Sequence, residues 1–179
     1  DDDVKKLYDD TAYMASDEGQ FLTAFAKGLT QRWELNLSTP DPTDAATYVK
    51  YYTDYINAEL NEIGKFRDVT FSDNTFNQKV HDYIDALDKQ LKSLDYYATD
   101  TARSQADWAS AYKQRSLIIK YFLNNYPVKI DDKYADIKNE FIVDNSAPDE
   151  DISITFDSKD LLFALHNATV FVKAQKNED

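Results

Sequence analysis

The side chains able to do chemistry are few in kind. His81 and His166 are the only histidines, and cysteine is absent. Thiol catalysis, disulfides and Cys-based zinc sites are therefore excluded. A histidine-based triad needs a nucleophile and an orienting acid beside the imidazole. The G-x-S-x-G turn that would present such a serine does not occur. A di-metal site in a helical bundle uses Glu-x-x-His pairs from two helices. Here Gln78 stands three residues before His81, and Phe163 three before His166. His81 follows Val80 on an apolar helical seam, so a half-buried structural role is expected for it, and the same holds for His166. The EF-hand calcium loop and the Gly-rich phosphate loop are also missing. Asp144, Asp149, Glu150 and Asp151 gather in one acidic stretch without a ligand spacing, which reads as a solvated loop. Glycoside hydrolysis needs two carboxylates flanking a cleft, but among 33 acidic residues their number selects no pair. No catalytic residue, metal ligand or cofactor is assigned.

Tyrosine is the unusual residue type, with 13 in the chain. Tyr48, Tyr51, Tyr52 and Tyr55 crowd two helical turns. A tyrosine buries its ring while its hydroxyl seeks a polar partner. Tyr48, Tyr52 and Tyr55 share one face. Tyr51 falls off that face and is expected to reach a groove or the surface. Tyr51, Tyr52 and Tyr55 are thus the candidate ligand-binding residues, an aromatic platform for sugar or peptide. The competing reading is packing between helices.

The elements that must position these residues follow from apolar spacing. Asp17 reads as an N-cap, with Gln20 completing a capping box. Behind it Phe21, Leu22, Phe25, Leu29 and Trp33 recur at helical intervals, predicting a helix over 17–36. Gly28 lies inside that helix at a cost near ~1 kcal/mol, which close approach of a neighbouring helix would explain. The Pro40 and Pro42 segment is a turn. A second helix is expected over 44–66. A third, over 74–97, steps through Val80, Ile84, Leu87, Leu91 and Leu94 as a narrow seam. A fourth covers 104–125 and stops before Pro127, since proline disfavours helix at its predecessor. A shorter fifth fits 131–143. Residues 152–156 alternate in polarity and read as an extended linker before a last helix through Leu161, Leu165 and Val172.

Three glycines and four prolines are too few for a β-sandwich or barrel of 179 residues. The expected fold is all-α: an up-and-down antiparallel bundle of four long helices plus one or two shorter ones. It forms a single domain over 1–179, with 1–16 a weakly ordered leader and 144–157 an acidic linker. The net charge of −13 disfavours nucleic acid as a partner, because phosphate binding needs a basic patch. No apolar run approaches the ~18 residues of a membrane span.

Three stretches carry a resemblance: Phe21–Trp33, the pair Tyr55–Leu60 with Tyr83–Leu87, and Trp108–Ser116. Together they resemble the helical extracellular region of cell-surface lipoproteins from Gram-positive, lactic-acid-type bacteria. The resemblance spans about residues 21–134. It implies export and a lipid anchor on a cysteine upstream of Asp1, and it supplies no catalytic residues. The expected function is a non-enzymatic binding or scaffolding domain outside a Gram-positive cell. Its partner would be a protein, peptide or glycan of the cell envelope, with the membrane reached only through the upstream anchor. A carboxylate-dependent enzyme acting on cell-wall glycan or peptide, and an intracellular adaptor, are the alternatives.

Overall fold

A computed structural model describes residues 7–142, and the expected linker and last helix lie outside the described residues. Among them the chain is all-α. After a 3-10 turn at Leu7–Asp9 come α1 (Thr11–Ala15), α2 (Asp17–Ser38), α3 (Ala45–Ile63), α4 (Asn74–Ser93), α5 (Thr101–Asn125) and α6 (Ala135–Ile142). The four long helices are those expected. Each starts at a side chain that satisfies an orphan amide. Ser16 accepts from Gly19 N, Asp44 from Thr47 N, Asp73 from Phe76 N and Asp100 from Arg103 N. The first of these corrects the expected Asp17 cap. Ser16 takes the extended backbone a cap requires, so Asp17 is already helical, and Gln20 donates to Ala15 O instead. Helices α3 and α4 end a turn early, each passing into a 3-10 segment, Gly64–Asp68 and Leu94–Tyr96. The expected leader holds the Leu7–Asp9 turn and α1, which lies so close to α2 that a Cβ on Gly19 would meet the Tyr13 carbonyl at 2.4 Å.

Side-chain pairs fix the topology. Between α2 and α3, Lys27 meets Glu62, Arg32 meets Glu59 and Asn36 meets Tyr55, so one number rises as the other falls. Between α4 and α5, Lys79 meets Tyr121, Lys89 meets Ser110 and Ser93 meets Ser104. Both hairpins are antiparallel, as short links demand. They join through an aromatic core. Phe21 and Phe25 of α2 lie 5.5 and 5.2 Å from Phe122 of α5, and Phe76 of α4 lies 5.7 Å from Phe21. Rings at these separations add about 0.5–1.5 kcal/mol per pair beyond the area they bury.

Candidate functional site

All four tyrosines of α3 turn inward. Tyr48, Tyr51, Tyr52 and Tyr55 are buried, and Tyr51 keeps only 8% exposure. The expectation that Tyr51 reaches a groove or the surface is corrected. Its ring stacks on Tyr55 at 5.4 Å and stands edge-on to Tyr52 at 4.9 Å. Tyr52 in turn meets Trp108 of α5 at 5.1 Å. The structure does bring Tyr51, Tyr52 and Tyr55 together, but as packing between α3 and its neighbours. The reason is geometric: Tyr51, Tyr52 and Tyr55 span an arc of only about 100° on the helix, and α2 and α5 both close on that arc.

The densest polar constellation was not expected. Glu59 of α3 is buried between Arg32 of α2 and Arg115 of α5, each at or below 1% exposure. Its Oε1 accepts from Arg32 Nη1 at 3.1 Å, from Arg115 Nε at 3.0 Å and from Arg115 Nη2 at 2.5 Å. Oε2 accepts from the Tyr83 hydroxyl of α4. Gln90 Oε1 faces the Arg32 guanidinium at 3.4 Å, and that guanidinium lies 4.1 Å over the Tyr55 ring. All four long helices thus contribute to one ionic centre. Gly28 lets α3 come close enough to seat it, since a Cβ there would stand 3.2 Å from Glu59 Cα. That is the helix approach anticipated for this glycine. Burial pushes the Glu59 carboxyl up, but Arg115, Arg32 and the Tyr83 hydroxyl outweigh it and hold the group below the ordinary carboxylate range. Burial likewise keeps the Tyr83 phenol neutral to well above its ordinary range. An ionised acid sealed from solvent can neither protonate nor attack a substrate. The centre holds helices in register.

Sequence reasoning missed these residues because Arg32, Glu59, Gln90 and Arg115 are charged or amide side chains of the kinds that normally face water. The available signal was their coincidence with the apolar stripes: Arg32 adjoins Trp33 and follows Gly28 by four, and Glu59 follows Tyr55 by four. His81 takes the structural role expected, half-buried with Nε2 2.9 Å from the Val69 carbonyl. His166 lies outside the described residues. Among the described residues no group of three or more histidines and acids converges as a metal would require. None of their helices is long and apolar enough to cross a membrane.

What remains open to a ligand is on the flanks. A groove of about 590 Å³ runs between α2 and α3, where Gln31, Asn57 and Asn61 face Glu34 and Asp54. Glu34 is held below the ordinary carboxylate range by hydrogen bonds from Lys133 and Tyr134. A more apolar slot of about 380 Å³ lies between α2 and the segment 127–134. Leu22, Ala26 and Thr30 of α2, Pro127, Tyr8 and Met14 are among its lining residues. Comparison with protein-family models, curated proteins and solved structures finds no match to this chain.

Proposed function

We propose that this chain is a non-enzymatic binding or scaffolding domain displayed outside a Gram-positive cell and tethered through sequence upstream of it. One observation carries the reading. Side chains of all four long helices meet at the sealed Arg32–Glu59–Arg115 centre, where Tyr83 and Gln90 of α4 complete the set and one carboxylate is shared by two guanidiniums in the interior. Chemistry on a carboxylate needs an accessible acid or base, with the acid's pKa raised toward neutrality. Glu34 and Glu59 move the other way, each held below the ordinary carboxylate range. The exposed surface offers grooves lined by amides, apolar side chains and a few charges, which suit recognition. The resemblance to lactic-acid-bacterial surface lipoproteins supplies the location and the envelope partner.

The test is direct. Purified protein is sedimented with Gram-positive cell-wall sacculi, and the supernatant is assayed for released saccharide and peptide fragments. Co-sedimentation without release is expected. Fragments released above a no-protein control would overturn the non-enzymatic reading, and failure to sediment would overturn the envelope partner.

A further inference from the structure

We propose that Leu7–Ala15 is a strap hinged at Ser16, which lifts off the bundle as a unit and in lifting opens the slot between α2 and the segment 127–134. The long helices are held by buried rings and by the Arg32–Glu59–Arg115 centre, whereas neither the 3-10 turn nor α1 buries a residue. Leu7, Tyr8, Tyr13 and Met14 are half-buried, and the other positions of the strap are exposed. Among the described residues, one hydrogen bond ties this segment to anything beyond the first turn of α2: the Tyr8 hydroxyl donates to the Val128 carbonyl at 3.1 Å. The remaining side-chain ties sit at or beside the hinge. The Tyr13 hydroxyl donates to Glu18 at 3.2 Å, and Gln20 Nε2 donates to the Ala15 carbonyl at 2.9 Å. A segment with so few buried contacts opens at a free energy well below that of the whole fold.

Ser16 is the single non-helical residue between α1 and α2, and its backbone is extended. A rotation there is absorbed at one residue. The bonds that start α2 lie on its own side of the hinge. Ser16 Oγ accepts from Gly19 N at 3.2 Å and Ser16 O from Gln20 N at 2.9 Å, so both persist when α1 leaves. Gly19 sets the closed position. It is buried within α2, where a glycine weakens the helix. A Cβ there would stand 2.5 Å from Met14 Cα and 2.6 Å from the Met14 carbonyl oxygen, backbone atoms that only a displacement of α1 relieves. Tyr8 and Met14 of the strap line the slot together with Leu22 and Ala26 of α2. With the strap down, Leu22 is 1% exposed. Lifting removes the strap's share of the lining and turns a slot of about 380 Å³ into an open apolar face of α2. The strap is thus a lid that the chain carries for that face.

The experiment is hydrogen exchange read by mass spectrometry on the parent, Tyr8→Phe and Gly19→Ala chains, with a thermal melt of each. Tyr8→Phe loses the remote tie, and Gly19→Ala leaves no room for the closed strap. Exchange in α1 is expected to quicken about fivefold in the first and about tenfold or more in the second. Exchange in α4 and α5 should match the parent, and the melting temperature should not fall. The chain holds no cysteine, so Leu22→Cys places a single thiol in the lining. Its labelling by a maleimide is expected to be slow alone and about tenfold faster when Gly19→Ala is added. Should Leu22→Cys fail to fold, Ala26→Cys in the same lining carries this arm. Unchanged α1 exchange in Gly19→Ala overturns the strap. So does faster exchange spread through α4 and α5 with a lower melting temperature, because the segment then belongs to the cooperative core. Equal labelling with and without Gly19→Ala overturns the lid.

Discussion

Glu59→Gln is the sharpest probe of the interior. The substitution keeps the shape and removes the one carboxylate shared by Arg32, Arg115 and Tyr83. Both guanidiniums are fully buried, so they lose their shared counter-ion where water cannot replace it. Breaking a buried pair in this way costs about 3–5 kcal/mol. For a chain of 179 residues that lowers the melting temperature by roughly 10 °C or more. Replacing the whole set, Arg32→Met, Glu59→Leu, Tyr83→Phe and Arg115→Met together, removes the charges along with their desolvation cost. That variant is expected to be more stable than Glu59→Gln alone. The pH dependence follows from the direction of the shift. The folded state holds Glu59 below its ordinary value of 4.5, so its stabilisation is fully present above that pH and fades as pH falls through the lower folded value. The gap between parent and Glu59→Gln in urea midpoint should therefore be constant near neutrality and close in acid. A gap under about 1 kcal/mol at pH 7, or one that does not change in acid, would refute the reasoning.

Other perturbations separate the remaining contributions. Gly28→Ala gains about 1 kcal/mol of helix propensity, but its Cβ meets the Glu59 backbone at 3.2 Å. Because Glu59 pins α3 to two arginines, the helix yields poorly, and a net loss of about 1 kcal/mol is expected in denaturant melts. In the Glu59→Gln background the same change should cost less, a non-additivity that a double-mutant cycle measures. Asp44→Ala removes the side-chain half of the α3 capping box, the acceptor of Thr47 N, and is expected to cost about 1 kcal/mol. Tyr52→Ala empties a site fully buried against Trp108 and should cost about 3–5 kcal/mol, so any lost sacculus binding would accompany lost structure. Alkali supplies a complementary check. Burial raises Tyr97 to about 12, with Tyr48 adding to it, and holds Tyr83 well above the ordinary phenol range. Their neutral phenols stabilise the fold below pH 10 and lose that effect as pH climbs through the folded values. Phenolate absorbance should show a late fraction that ionises only as helical dichroism collapses. Titration of every tyrosine near pH 10 with helicity intact would contradict the burial.

The fold was legible because its determinants are local. Apolar spacing located the long helices, and Asp44 stands where the second was expected to begin, whereas α5 starts at Thr101 behind an Asp100 cap, three residues before the expected start at 104. The misjudged boundaries, Ser16 instead of Asp17 and the early ends of α3 and α4, turn on single backbone conformations that two adjacent capping residues, or a helical and a 3-10 turn, satisfy almost equally well. The site was illegible for a different reason. A periodic stripe tells which face is buried, not how wide the burial is. On α4 the seam Val80, Ile84, Leu87 was read correctly, yet Tyr83, Ala86 and Gln90 are buried beside it. The same widening on α3 draws in Tyr51 and Glu59. A side chain on the margin of a stripe is buried only if two neighbours close over it, and that depends on helices distant in the chain. Arg32 and Arg115 are separated from Glu59 by 27 and 56 positions. Charge complementarity at such distances has no local signature; the nearest thing to one was Gly28, whose helix-weakening presence four residues before Arg32 made sense only if another backbone had to come close. Here a glycine inside a long helix, followed one turn later by an arginine among aromatics, stands where the bundle seats a buried counter-ion, and that counter-ion joins the two hairpins beside their aromatic core.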